Sequence, residues 1–512
     1  MMKNKFGIFM VCLLMTASIP ISIYAQEKEN KEGAERSHSS PSSPSSIRLP
    51  LKCATLSVDE RASCVVRSAI PFPQKAAMNL KGVYDRGLSG AGQVLGIIEF
   101  TNMRKGVPGL EDAIISSLDL SSHGEGDHPD QVAQVAVSKA MLGDSGEYIG
   151  IAPGAKVVSV SAYAAKHLEN AMEYLLVQGA TWINLSFSNA CRIPGFKGIM
   201  NLELVTAIKY AIDSGAMITI ASGNEGELLD EDRYLKSIVR SFSAVSSNII
   251  LCNGYICEQP FFDEDDIRFS ESSGRGGKSM SQARSFMLTA PYTFAVLEGR
   301  GREWNLKELN GTSFSAPAIA AVGLLLTEHA AKSGVKVLPI EIGDCLRATA
   351  NSTVQEGEQW SWYGAGKVNA SAALDLLDIV IQAKKSFNQE RYLTSKLLWI
   401  KALRKLGPFA RKSHIMEAIE SVRLSNKVSP SQYMMEGYLR EILPFPSCYL
   451  KERVEAYRLY FNEAYEESRT IFQTIDDEHV RIIYDKDPLL DLLPMPLDMD
   501  EETRAILEEL DS

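Results

Sequence analysis

Between Gly82 and about Leu377 the chain alternates short, continuous apolar runs with stretches of helical periodicity, and few architectures accept that order. The runs are Val94–Ile98, Val157–Val160, Trp182–Phe187, Ala216–Ala221 and Ala244–Leu251. Between them, Leu168–Val177 and Leu202–Ile212 repeat apolar residues at three- and four-residue steps. A strand apolar on both faces must be covered on both faces, as happens when parallel strands are joined by crossover helices. Residues 82–377 are therefore expected to form one α/β domain, a mainly parallel sheet with helices on both faces.

The flanking regions have a different character. Lys3 and Lys5 precede an apolar run from Phe6 to Met15, and Ala25 ends a small-residue site before Gln26, the order of a cleaved export signal over residues 1–25. Ser18, Pro20 and Ser22 keep that run below the ~20 residues a membrane span needs, so stable membrane embedding is not expected. Residues 26–81 read as an extension containing the solvated linker Ser39–Ser46, SSPSSPSS. Residues 378–512 read as an all-α domain, with amphipathic patterns over Ile381–Leu406, Ile415–Leu424 and Val454–Phe472. Segments near 383–405 and 454–472 are faintly tetratricopeptide-like, but the full repeat is missing, which favours a helical hairpin packed on the α/β domain. Asp498–Ser512 is an acidic helix or tail.

A formal net charge of −11, with no basic aromatic patch, argues against a nucleic-acid partner. Export permits disulfides, and seven of the eight cysteines lie beyond the signal. Cys53 with Cys64 and Cys252 with Cys257 are the nearest pairs, but spacing leaves the connectivity open.

Four blocks carry chemistry. Asn310-Gly311-Thr312-Ser313-Phe314-Ser315-Ala316-Pro317 opens a small-residue helix, Ala318–Leu326. A serine there lies among backbone N–H groups and at the positive end of the helix dipole, although a plain helix cap has the same composition. Ala221-Ser222-Gly223-Asn224-Glu225-Gly226 follows a buried strand and can aim the Asn224 amide at an anion, or can be an ordinary Gly-Asn turn. His128-Pro129-Asp130-Gln131-Val132-Ala133-Gln134 opens a helix, and Gly150-Ile151-Ala152-Pro153-Gly154-Ala155 follows it. His123 competes with His128 but lacks its spacing to Val132-Ala133. Val94–Ile98 runs directly into Glu99.

In this order the blocks resemble the subtilase family of serine peptidases. Trp182-Ile183-Asn184-Leu185-Ser186 and Tyr363-Gly364-Ala365-Gly366-Lys367-Val368-Asn369-Ala370 add to the resemblance. It implies a subtilisin-like fold, Ser313 as nucleophile, His128 as general base, Glu99 as the acid orienting it and Asn224 as oxyanion donor. It also implies that protein or peptide substrate pairs as a strand beside Ser186, Phe187 and Ser188. Glu225, directly after Asn224, is expected to face the primary pocket and to favour a basic residue there. Three departures stand out. Glu99 replaces the usual Asp and in this is sedolisin-like, Pro129-Asp130-Gln131 replaces the residues after the histidine, and Gln134 replaces a glycine. No cofactor is required by this chemistry, and structural calcium stays open. A catalytically inactive binding protein on the same fold is the first alternative. A self-cleaving assembly protein, recruiting a protein partner through its helical domain, is the second. The signal implies an extracellular, periplasmic or cell-surface location.

Overall fold

The computed structural model describes residues 73–425 apart from 143–146, 163–166, 188–199, 227, 229–247, 258–266, 271, 275–285, 302 and 352–363, together with 47–48, 65–66, 503 and 505–506. The signal, the Ser/Pro linker and the segment 454–472 lie outside the described residues.

The first half holds β1 (Ile47–Arg48), β2 (Val65–Val66), α1 (Pro73–Ala77), α2 (Lys81–Asp85), β3 (Val94–Glu99), β4 (Ile114–Asp119), α3 (Asp127–Val137), β5 (Met141–Leu142), β6 (Glu147–Tyr148), β7 (Lys156–Ser161) and α4 (Leu168–Val177). Then come β8 (Trp182–Leu185), α5 (Met200–Asp213), β9 (Met217–Ala221), β10 (Ile249–Cys257), β11 (Ile267–Phe269), β12 (Met287–Pro291), β13 (Thr293–Arg300) and β14 (Glu303–Asn310). Among the described residues five α-helices follow: α6 (Thr312–Lys332), α7 (Pro339–Ala348), α8 (Ala370–Asn388), α9 (Tyr392–Leu406) and α10 (Lys412–Ser425).

The main sheet runs β11-β10-β9-β8-β3-β7-β4, with β12 also on β10. Its described pairs are parallel except β10 with β11. Alternate residues of each strand enter opposite layers, as the two-residue period of a strand requires. Leu95, Ile97, Met217 and Ala221 join the layer of α3, α6 and α8, whereas Ile98, Ile218 and Ile220 join that of α4 and α5. The expected mainly parallel sheet with helices on both faces is present, and four of the five apolar runs match their strands to within two residues. The fifth, Ala244–Leu251, ends within β10.

Helix α6 is long and apolar enough to cross a membrane by length and composition, but its apolar window is 83% buried within the protein. Apolar on all sides, it is a core helix. Gly323 on it lies against the Trp182 ring, and Thr327, one turn on, accepts the indole N–H at 3.1 Å. Beside the sheet, β13 and β14 form an antiparallel hairpin whose outer strand also pairs with β1.

The C-terminal region packs helix on helix. The run Ile381–Leu406, continuous in sequence, is broken by Gln389-Glu390-Arg391 into α8 and α9, with Glu390 at positive φ. Leu377, the expected boundary, falls inside α8. Leu374, Leu376, Val380 and Ile381 on either side of it belong to one core. A buried ionic cluster joins α7 to α8 and α10: Glu341 contacts Lys384 at 3.0 Å and His414 at 3.2 Å.

The possible Cys252–Cys257 pair does not exist, because Cys252 is free and buried. Both residues lie on β10. Five residues of strand span roughly 16 Å, whereas a disulfide holds its Cα atoms within about 7 Å. Cys345 is also free and buried. Cys53, Cys64, Cys191 and Cys448 lie outside the described residues.

Candidate active site

The nucleophile candidate follows directly from the hairpin. Strand β14 ends at Asn310, Gly311 turns the chain at φ 156°, and Thr312 and Ser313 begin α6. Glycine takes that conformation without strain. Pro317 lies four residues beyond Ser313 and has no N–H, so the Ser313 carbonyl loses its intrahelical donor. The Ser186 hydroxyl replaces it, donating to Ser313 O at 2.7 Å. Ser186 Oγ is held in turn by the Asn184 amide at 2.7 Å, and Asn184 Oδ1 accepts from Thr219 Oγ1 at 3.0 Å. All three donors are buried. The pairing is reciprocal, since Ser313 Oγ donates to the Ser186 carbonyl at 3.0 Å.

The histidine and the acid meet from separate elements. Glu99 ends β3 and is 2% exposed, and His128 lies in the first turn of α3. His128 Nδ1 and Glu99 Oε2 are 3.1 Å apart. Burial works against the charged imidazole, but the charge and hydrogen bond of Glu99 outweigh it and raise the His128 pKa above its ordinary 6.5. Pro129 costs no helical hydrogen bond, because the first turn has no acceptor for its N–H. The His128 ring lies 6.0 Å from that of Phe314, the residue after Ser313, which brings the imidazole to the start of α6. His123 is exposed on the loop between β4 and α3.

Asn224 faces the same turn. Its Oδ1 accepts the Thr312 backbone N–H at 2.8 Å and lies 3.1 Å from the Thr312 hydroxyl and 3.3 Å from Tyr292 Oη. With the carbonyl end anchored, the amide Nδ2 is the end left to donate outward, close to Gly311. Glu225 Oε2 accepts the Asn224 backbone N–H at 3.0 Å, and both residues are exposed. Phe187 is buried against Phe100, with ring centroids 4.9 Å apart. Ser188 and Tyr363 lie outside the described residues. Glu99, His128, Asn224 and Ser313 thus surround one helix start, with Ser186 beside them.

Sequence reasoning did not find Arg104 or Tyr292, and it placed Asn184 and Thr312 in motifs without giving either a role. Arg104 pairs with Asp130, whose carboxyl burial pushes up to about 6 against the opposing pull of Arg104. The signal available was Asp130 itself, a second carboxylate in the first turn of a helix that goes on to Val132, Ala133, Val135, Ala136 and Val137. Among the described residues, no group of three or more His, Cys, Asp or Glu side chains could hold a metal ion.

Residues 119–366 match the model of the subtilase family, a span that includes His128, Asn224 and Ser313 and begins after Glu99. The match and the sheet topology give this region a subtilisin-like fold. Among solved structures, the chain is similar to the prenylagaramide maturation protease PagA, with 19% identity, 58% of this chain and 98% of that one covered, and a TM-score of 0.44. It is also similar to a lanthipeptide protease, with 16% identity, 59% and 94% coverage and a TM-score of 0.44. Fervidolysin from Fervidobacterium pennivorans, a keratinolytic enzyme related to subtilisin, gives 17% identity, 59% and 45% coverage and a TM-score of 0.43. No curated protein sequence matches the chain at a significant level.

Proposed function

We propose that the protein is an exported serine endopeptidase that cleaves peptide bonds through Ser313, His128 and Glu99. The observation that carries this reading is the His128 Nδ1–Glu99 Oε2 contact at 3.1 Å, beside a serine at the start of a helix. Glu99 holds the imidazole with Nε2 free as base and stabilises the imidazolium that forms. Ser313 Oγ leaves the Ser186 carbonyl, gives its proton to His128 and attacks the substrate carbonyl. Asn224 Nδ2 and backbone N–H groups at the start of α6 receive the oxyanion. His128 then protonates the leaving amine, and water releases the acyl group by the reverse sequence. Substrate adds as a strand beside Ser186 and Phe187, its backbone N–H taking over the Ser186 carbonyl. Glu225, exposed next to Asn224, biases the pocket toward a basic residue. The signal in residues 1–25 directs the chain out of the cytoplasm.

An internally quenched peptide library tests the reading. Cleavage by the wild type that disappears in Ser313→Ala supports it; cleavage that survives in Ser313→Ala contradicts it. Equal rates for Lys and Leu before the scissile bond would remove the pocket preference alone. One observation favours a second reading, an inactive binding protein: the Ser313 hydroxyl is engaged by Ser186. A folded wild type that cleaves no library member would select it.

A further inference from the structure

Gln131 and Gln134, among the residues after His128 that depart from the subtilase pattern, bond to the β13–β14 hairpin, and Asp130 reaches it through Arg104. Gln134 is fully buried, and its amide closes a two-bond ring on a single residue: Nε2 donates to Leu297 O at 2.9 Å, and the Leu297 N–H donates to Oε1 at 2.7 Å. Gln131, one turn earlier, reaches Glu298 at 3.3 Å. Asp130 binds the backbone N–H and guanidinium of Arg104, which also donates to the Gly299 carbonyl at 3.0 Å and stacks over Trp304 at 5.6 Å. One face of α3 is thereby tied to three successive hairpin residues, directly at 297 and 298 and through Arg104 at 299.

The hairpin is also the last element before the nucleophile. Leu297 pairs with Leu306 on β14, and β14 ends at Asn310, three residues before Ser313. His128 lies on α3, less than two turns from Gln134. A path of bonded elements therefore runs from the base to the nucleophile: α3, Gln134, β13, β14, Ser313. A glycine at position 134 could form neither bond. Glutamine is the uncharged side chain that presents a donor and an acceptor together at this length, matching a backbone amide pair.

We propose that Gln134 is a positioning residue for the reaction, setting the His128–Ser313 geometry by locking α3 to the hairpin, with the Arg104–Asp130 pair as a second lock. This rests on the peptidase reading above. An approach of base to nucleophile that is wrong by about 1 Å can lower turnover on the order of 100-fold. A residue that only held the fold together would lower the melting temperature and leave kcat of the folded protein unchanged.

The test compares full-length wild type, Gln134→Leu, Gln134→Glu and Arg104→Lys well below their melting temperatures, with folding checked by circular dichroism. The substrate is the best-cleaved member of the quenched library. Gln134→Leu, close in size but without hydrogen bonds, is expected to lower kcat on the order of 10- to 100-fold with KM within about twofold. Gln134→Glu keeps the acceptor for the Leu297 N–H and is expected to fall between the two. If Gln134→Leu does not fold, the milder Arg104→Lys decides, with kcat expected to fall while KM holds. Folded variants with wild-type kcat, or losses confined to KM, would overturn the positioning role and leave the peptidase reading standing. A folded wild type without cleavage would overturn both.

Discussion

At the scale of single residues, the site depends on side chains that replace missing backbone partners. Pro317 deprives the Ser313 carbonyl of its donor, and Ser186 supplies one. Ser186→Ala should leave that part-buried carbonyl without its donor, at a cost of about 1 kcal/mol in urea unfolding. An unchanged unfolding midpoint would show that the bond contributes nothing. Glu99 acts on His128 in the same direct way. Because its charge and hydrogen bond raise the His128 pKa, and the base must be neutral to act, the acid limb of kcat/KM should lie above pH 6.5. Glu99→Gln removes the charge and leaves the burial, so the limb should move to lower pH while kcat falls. In a serine peptidase triad of another fold, the equivalent amide substitution costs about 10⁴-fold. A limb that stays in place would show that Glu99 does not act on His128.

At the scale of elements, the strands of the main sheet were legible because they are buried on both faces and therefore continuously apolar. Strand β4, whose residues alternate between half-buried and exposed, carries no such run. The hairpin was missed for a related reason: β14 reads Glu303-Trp304-Asn305-Leu306-Lys307-Glu308-Leu309-Asn310, polar at most positions because it lies at the surface. Without the hairpin the role of Gln134 could not be seen, since its partner is a backbone 163 residues away. The blocks around Ser313, His128 and Asn224, which the fold brings together, were legible because each is a short local motif. Arg104 was not, because only folding brings its loop to Asp130. The ionic cluster joining α7, α8 and α10 makes its own prediction. Burial would raise the Glu341 carboxyl, but His414 and Lys384 outweigh it and hold the pKa at about 2. A pKa lowered on folding stabilises above the unfolded value, 4.5, and the stabilisation is lost as pH falls through about 2. The full effect is about 3 kcal/mol. Urea midpoints measured from pH 6 to pH 2 should fall more steeply for the wild type than for Glu341→Gln, and parallel curves would contradict this.

At the scale of the whole molecule, the α/β region and the helices after it share a core. Val380, Ile381, Leu397, Leu398 and Trp399 lie in the same buried cluster as Leu324 and Leu325 of α6, the helix that carries Ser313. A chain ending at Leu377 would be cut inside α8 and would expose that cluster. It is expected to lose its cooperative melting transition, as calorimetry would show, and a normal transition would mean that residues 378–512 are dispensable for folding. The support of Ser313 thus extends well beyond the span matched by the subtilase model.

The central claim is a working Ser313–His128 pair, and labelling of the purified protein with a fluorophosphonate serine probe tests it most directly. The wild type should label, and Ser313→Ala and His128→Ala should not, because in subtilisin loss of either residue costs about 10⁶-fold in turnover. A folded wild type that fails to label, or a Ser313→Ala variant that still labels, would contradict it.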